Sequence, residues 1–281
     1  MKKIARELKD SNIGFIFTKF GLRKSSLIRK FYSLLTLENN KDPIRVGDYK
    51  FFIDRNDSLG LKRKKNLFNT DDVAKTLKMY IGRGHVVIDA GANIGVFSVL
   101  MSKLVGGRGK VYAFEPDKIN FEILLKNLKI NKCDNVIPIN KALSDKNGRI
   151  KLYLSEWNKG DHRIYPSDEK RKSIEIETVT LDSFLKEKID FLKIDIQGAE
   201  ALMFKGAKKS IFKNKPKFIL EFWPVGIKDS GEDYVEFIKQ INKNFNLYQI
   251  NQENKKVDYL EILKLTPLAK RNFLNLLCIP K

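Results

Sequence analysis

Val86-Val87-Ile88-Asp89-Ala90-Gly91-Ala92-Asn93-Ile94-Gly95-Val96-Phe97-Ser98 is the stretch from which the architecture follows. Three consecutive apolar residues, Val86 to Ile88, suit a strand covered on both faces, and Asp89 closes it. Gly91 and Gly95 bracket a tight turn. Beyond it, Ile94, Phe97, Leu100, Met101 and Leu104 recur at three- and four-residue spacing, the period of a helix with one buried side. Strand, glycine loop and helix in that order open a nucleotide-binding α/β unit. Glycines admit positive φ and let backbone N–H groups approach a ligand at a helix N-terminus.

The glycine spacing decides which nucleotide. A dinucleotide fingerprint needs G-x-G-x-x-G, and with Gly91 as the first glycine the other two positions hold Asn93 and Val96. That disfavours NAD. The pattern present, D-x-G-x-N-x-G, resembles the first motif of class I S-adenosylmethionine (SAM)-dependent methyltransferases. The resemblance implies that Asp89, Gly91, Asn93 and Gly95 wrap the amino acid end of the cofactor.

The second unit reinforces the first. Lys110 to Phe114 reads as a strand ending in Glu115-Pro116-Asp117, and Glu115 follows Gly95 at the offset that puts a carboxylate at the end of the neighbouring parallel strand. There it can accept both hydroxyls of an adenosine ribose. Pro116 is expected to start the helix carrying Phe121, Leu124, Leu125 and Leu128. A third strand over 135–140 should border the adenine, with Asn140, Lys141 and Ala142 as the candidate contacts.

Residues 149–180 alternate in polarity, with Ile150, Leu152, Leu154, Ile174 and Ile176 on one side, and are expected to form two strands around a polar loop. The core then resumes with a strand over 189–195, a helix containing Leu202 and Met203, a strand over 218–222, a helix over 233–241, and strands near 247–250 and 274–279. Alternating strands and helices predict a mostly parallel sheet with helices on both faces.

Length and composition agree with one such domain. A chain of 281 residues that is 42% hydrophobic can bury a full core. Lys and Arg total 54 against 34 Asp and Glu, a formal +20, which favours anionic partners or reflects a lysine-rich proteome. Residues 1–80 hold 19 of the cations against 9 acids, so half of the excess lies there. Residues 1–48 are expected to be a basic helical extension, with Leu27, Phe31, Leu34 and Leu35 on one face and Arg23, Lys24, Arg29 and Lys30 around it. Together with Lys62-Arg63-Lys64-Lys65, this makes residues 1–65 the candidate contact for an anionic membrane surface.

The two cysteines, Cys133 and Cys278, have no metal-binding spacing and fit a reducing cytoplasm, the expected location. Two histidines exclude a multi-histidine metal site. No uncharged apolar run approaches the roughly 18 residues that span a bilayer, and Met1 to Glu7 lacks a continuous signal-peptide core.

Four blocks carry a closer resemblance: Asp89 to Gly95, Phe114-Glu115-Pro116-Asp117, Leu192-Lys193-Ile194-Asp195-Ile196-Gln197-Gly198-Ala199-Glu200, and Leu220 to Pro224. Together they resemble the FkbM family of SAM-dependent methyltransferases over about residues 50–281. The resemblance implies a Rossmann-like sheet of seven strands over 49–281, with SAM as cofactor. It also implies O-methylation of a sugar, glycan or related metabolite. Many members have Glu where this chain has Gln197. The segment from Asn158 to Tyr165 is also similar to part of the family, which makes 155–172 the insertion expected near the acceptor.

Methyl transfer to a hydroxyl needs an aligned oxygen, excluded water and a base. Asp195, ending the strand beside the first, is the leading candidate, and His162, beside an Asp, an Arg and a Tyr, is the second. His85, before the first strand, reads as structural. Asp195, Glu200 and Glu221 form a minority candidate for a divalent metal, against the main expectation of none. Glu221, inside a strand, requires a basic or hydrogen-bonding partner. Two further readings stay open: RNA 2′-hydroxyl methylation, and a non-catalytic scaffold that binds SAM or an anionic surface. A base-methylating enzyme is disfavoured, because Asp195-Ile196-Gln197-Gly198 lacks the Pro-Pro-aromatic grip on a flipped base.

Overall fold

The computed structural model describes residues 42–53, 71–155, 159–166, 171–251, 254–268 and 272–281. Pro43–Lys281 forms one compact unit. It begins with a hairpin, β1 (Ile44–Val46) and β2 (Tyr49–Phe51), so a strand replaces the last turn expected of the helical extension. The reading of residues 1–41 as helical and the basic run at 62–65 lie outside the described residues. Among those residues no helix is long and apolar enough to cross a membrane.

The core alternates as expected: α1 (Asp72–Tyr80), β3 (Val86–Ala90), α2 (Val96–Val105), β4 (Lys110–Phe114), α3 (Lys118–Ile130) and β5 (Val136–Ile139). An insertion follows, with β6 (Ala142–Leu143), β7 (Gly148–Tyr153) and β8 (Ser173–Val179), and then α4 (Leu181–Phe184), β9 (Phe191–Ile194) and α5 (Glu200–Lys205). The chain ends with β10 (Lys217–Phe222), α6 (Pro224–Asp229), α7 (Tyr234–Asn244), β11 (Phe245–Gln249), β12 (Lys256–Val257), α8 (Tyr259–Leu265) and β13 (Leu274–Pro280). Side-chain caps set several helix starts: Asp71 accepts from the Ala74 N–H at 3.1 Å and Asp117 from the Asn120 N–H at 2.8 Å. Pro116 therefore precedes the cap of α3 and does not start the helix.

The main sheet runs β12-β11-β13-β10-β9-β3-β4-β5, parallel from β10 to β5 and antiparallel where β13 and β11 return. It is the Rossmann-like seven-stranded arrangement with one addition, the two-residue edge strand β12, too short to leave a trace in the sequence. Alternate side chains divide between two cores. Ile88, Phe114, Leu192, Leu220 and Phe222 pack with Phe204 and Phe237 on one face. Val87, Val111, Ala113 and Ile219 pack with Leu77, Val99 and Leu124 on the other.

The chain leaves β3 toward β4 and β5, then returns to β9 on the other side of β3. This reversal opens a crevice outside the carboxyl ends of β3 and β9, where α/β sheets bind ligands. The insertion is a separate sheet, β6-β8-β7, and β6 is a strand beyond the two expected. It holds the polar loop after β7 against the start of α3, where the Asn120 side chain donates to the Lys159 carbonyl at 3.0 Å.

Candidate active site

A cavity of about 150 Å³ fills that crevice. Gly91 and Asn93 from the glycine turn, Glu115 and Pro116 from the end of β4, and Lys141 and Ala142 after β5 line it, as do His162 of the insertion and Asp195 after β9. Two of the predicted ligand residues stand behind the wall. Asp89 is fully buried and accepts from Ser98 Oγ at 2.6 Å, pinning the first turn of α2. Gly95 faces Leu124. A larger open depression of about 550 Å³ lies at the amino ends of the strands, by Lys103, Arg108, Lys110 and Lys132. Lys103 there donates to the Asn131 and Lys132 carbonyls and Lys110 pairs with Glu187, and the depression contains no buried unpartnered polar side chain among the described residues.

The glycine turn is shaped by close approach. Gly91 has φ +80°, and a Cβ there would lie 1.9 Å from the Asp195 carbonyl oxygen, so the loops after β3 and β9 touch backbone to backbone. Gly91→Ala should lower the melting temperature and abolish ligand binding in the crevice. Unchanged melting and binding would show that the contact is dispensable.

Glu115 is 5% exposed. Its oxygens accept from the Asn93 N–H at 2.7 Å and the Asp117 N–H at 2.9 Å, bracing the turn against β4. Burial outweighs these hydrogen bonds and pushes the carboxyl up to about 7. The Asn93 Oδ1, also on the cavity wall, is buried without a donor.

On the other side of the crevice Asp195 is 35% exposed at its side chain and reaches the cavity. Its Oδ1 accepts from Gln197 Nε2 at 2.8 Å, and the same amide donates to Glu221 Oε2 at 3.0 Å. Glu221 thus has the partner its burial demands. Burial first, then the charges of Asp195 and Glu200, push it up to about 9, so it keeps a proton near neutral pH.

Lys193 completes this cluster, and sequence reasoning assigned it no role. Strand alternation puts it on the same face as Asp89, its register neighbour on β3. Its Nζ lies 3.5 Å from Asp89 and 3.5 Å from Asp195. Burial opposes its charge, but Asp195, then Asp89 and Glu221, outweigh it and raise its pKa above the ordinary lysine range. A single lysine inside the apolar run of β9 was the available signal, since a charge there requires a partner.

Glu200 does not join Asp195 and Glu221 as a metal ligand. Its Oε1 accepts from the N–H groups of Ile196 and Gly198, both at 3.1 Å, and braces the loop between β9 and α5. Among the described residues no group of three His, Cys, Asp or Glu side chains is placed to hold a metal ion. Tyr165 supports the same loop, donating to the Gln197 carbonyl at 2.7 Å.

His162 departs from its expected role. Its Nδ1 accepts from the Ser155 N–H at 3.0 Å. A backbone N–H can only donate, so Nδ1 carries a lone pair and the ring proton is on Nε2. Burial lowers its pKa and keeps it neutral. His162, a residue of the cavity lining, therefore carries its proton on a buried Nε2 without a hydrogen-bond partner, and the expectation that it accepts a hydroxyl proton is corrected. His85 is structural as read, its Nδ1 accepting from the Gly82 N–H at 3.1 Å.

Comparison with known proteins adds a family. A family model described as the methyltransferase FkbM domain matches residues 89–259. Methyltransferase sdnD of Sordaria araneosa is 27% identical over 186 residues, covering 53% of this chain and 71% of that protein. A ribosomal protein L11 methyltransferase of Acetivibrio thermocellus is 36% identical over 72 residues, 26% of this chain and 22% of that one. Among solved structures, methyltransferase FkbM from Methylobacillus flagellatus aligns at 20% identity with a TM-score of 0.46, covering 69% of this chain. The present chain spans 43% of the length of that protein.

Proposed function

The chain belongs to the FkbM methyltransferase family, and from that premise we propose that it is a SAM-dependent O-methyltransferase acting on a hydroxyl of a carbohydrate, glycan or related metabolite. The observation that carries the reading is Glu115. It is a nearly buried carboxylate on the cavity wall, fixed by the Asn93 and Asp117 N–H groups beside a glycine turn at the reversal of strand order.

The residues fit the cofactor. Glu115 retains lone pairs for a ribose diol, and the buried Asn93 Oδ1 is an acceptor awaiting a donor such as an ammonium group. Gly91 keeps the wall open between β3 and β9. SAM, when bound, supplies a methyl group on a sulfonium sulfur. Around it, Asp195 takes the proton of the acceptor hydroxyl. Gln197 and Lys193 orient the Asp195 carboxylate, and Glu221, holding its own proton, avoids a second negative charge. The insertion adds Lys159, Gly160, His162 and Ile164 to the wall that holds Glu115, which narrows access for water. On sequence charge alone, the reading extends to contact of residues 1–65 with an anionic membrane surface in the cytoplasm.

Calorimetric titration of S-adenosylhomocysteine (SAH) tests the cofactor. Wild type should bind, and Glu115→Ala should bind about tenfold or more weakly, the scale of lost hydrogen bonds to a charged group. A folded wild-type chain that binds no SAH would overturn the reading. The pH dependence has a definite sign. A diol donates to the carboxylate, so a proton on Glu115 competes with the ligand. Affinity should be full above about 7 and fall toward acid by up to about tenfold per pH unit. Glu115→Gln should flatten that profile; an unchanged slope would assign the titration elsewhere.

A further inference from the structure

His162 is a polar group left over by the mechanism. Its Nδ1 is fixed as an acceptor by Ser155, and its Nε2 is buried with no hydrogen-bond partner in the ligand-free protein. A buried N–H without an acceptor is costly, so a donor held in this position calls for a ligand atom that accepts. The surroundings specify that atom further. His162 lines the same cavity as Pro116, Ala142, Leu143, Leu152 and Ile164, which give the wall apolar surface for a flat ring. The loop that carries it is tied to the start of α3, through Lys159 and Asn120, on the Glu115 side. Asp117 is the largest of the charges acting on the imidazole, and Lys159, Arg171 and Asp161 act on it as well.

We propose that His162 is a cofactor-recognition residue whose Nε2–H donates to a ring nitrogen of the SAM adenine. The assignment rests on the SAM reading above. It gives the insertion a role in selecting the cofactor: β7 supplies Leu152 and the loop beyond it supplies His162 and Ile164, so the adenine slot is completed by residues outside the core sheet. Adenine ring nitrogens present only lone pairs, and the tautomer imposed by Ser155 presents only a proton.

Binding of SAH decides it, compared with SAH analogues in which one purine ring nitrogen is replaced by C–H. Against wild type, one analogue should bind roughly five- to tenfold more weakly than SAH, the loss expected of a single hydrogen bond to a buried donor. His162→Phe should lose a similar factor toward SAH and discriminate no further against that analogue. His162→Gln, which restores a donor, should recover part of the affinity. Wild type that tolerates every ring replacement, or His162→Phe that binds SAH as tightly as wild type, would overturn the assignment and leave the cofactor reading intact. Wild type that binds no SAH would overturn both. The analogue series on wild type needs no variant to fold.

Discussion

Asp195→Asn should cut methyl transfer by about 10²–10⁴-fold, the usual contribution of a positioned base, while leaving SAH affinity nearly unchanged. The measurement is single-turnover transfer of a labelled methyl group to whichever hydroxylated glycoside the wild-type chain methylates from an acceptor panel. The separation between kcat and cofactor binding is the informative part. Asn keeps the size of the side chain and can still meet Gln197 Nε2 with its carbonyl oxygen, so the loop after β9 has no reason to move. It cannot take a proton. Glu221→Gln provides the control. Glu221 already holds a proton and acts as a neutral partner, so its amide should preserve most of the rate near neutral pH. Equal losses in the two variants would mean that the carboxyl pair acts as a unit and would remove the sole assignment of the base to Asp195. An Asp195→Asn chain with the wild-type rate would end that assignment outright.

What could be read from residues alone divides along a physical line. The turn from Gly91 to Gly95 and the carboxylate of Glu115 were legible because each is a local device: a backbone conformation encoded within a few residues, and an acid at the end of a strand. The mostly parallel sheet followed from the alternation of strands and helices. Long-range contacts stayed hidden. The tautomer of His162 is set by the backbone of Ser155, whose position depends on how the insertion folds. The resemblance to the first methyltransferase motif made Asp89 a candidate ligand residue, yet it faces inward to Ser98 and Lys193. Helix α6 was missed although Pro224 stands at its first turn, a known start position, because Trp223-Pro224 also reads as the end of β10.

The charged stripe of Asp89, Lys193, Asp195 and Glu221 shows why the fourth core strand is more than a wall. Three of these groups project from adjacent strands onto one face of the sheet, where period-two alternation would otherwise require apolar residues. The arrangement trades hydrophobic burial for a fixed set of charges at the crevice. The buried Asp89 and the proposed base Asp195 therefore share one lysine.

Lys193→Met makes that dependence measurable. Methionine fills a similar volume but leaves the fully buried Asp89 with only the Ser98 hydroxyl, since Asp89 Oδ1 already lacks a hydrogen-bond donor. Removing one partner of a buried pair costs about 3–5 kcal/mol, which for a domain of this size lowers the melting temperature by on the order of 10 °C. Asp89→Asn combined with Lys193→Met removes the orphaned charge and should regain much of the lost stability, although transfer should stay slow because Asp195 has lost its neighbour. Thermal unfolding at neutral pH, beside single-turnover transfer, would read both effects. A Lys193→Met chain that melts with wild type at neutral pH would show that the lysine is not what holds Asp89 in the core.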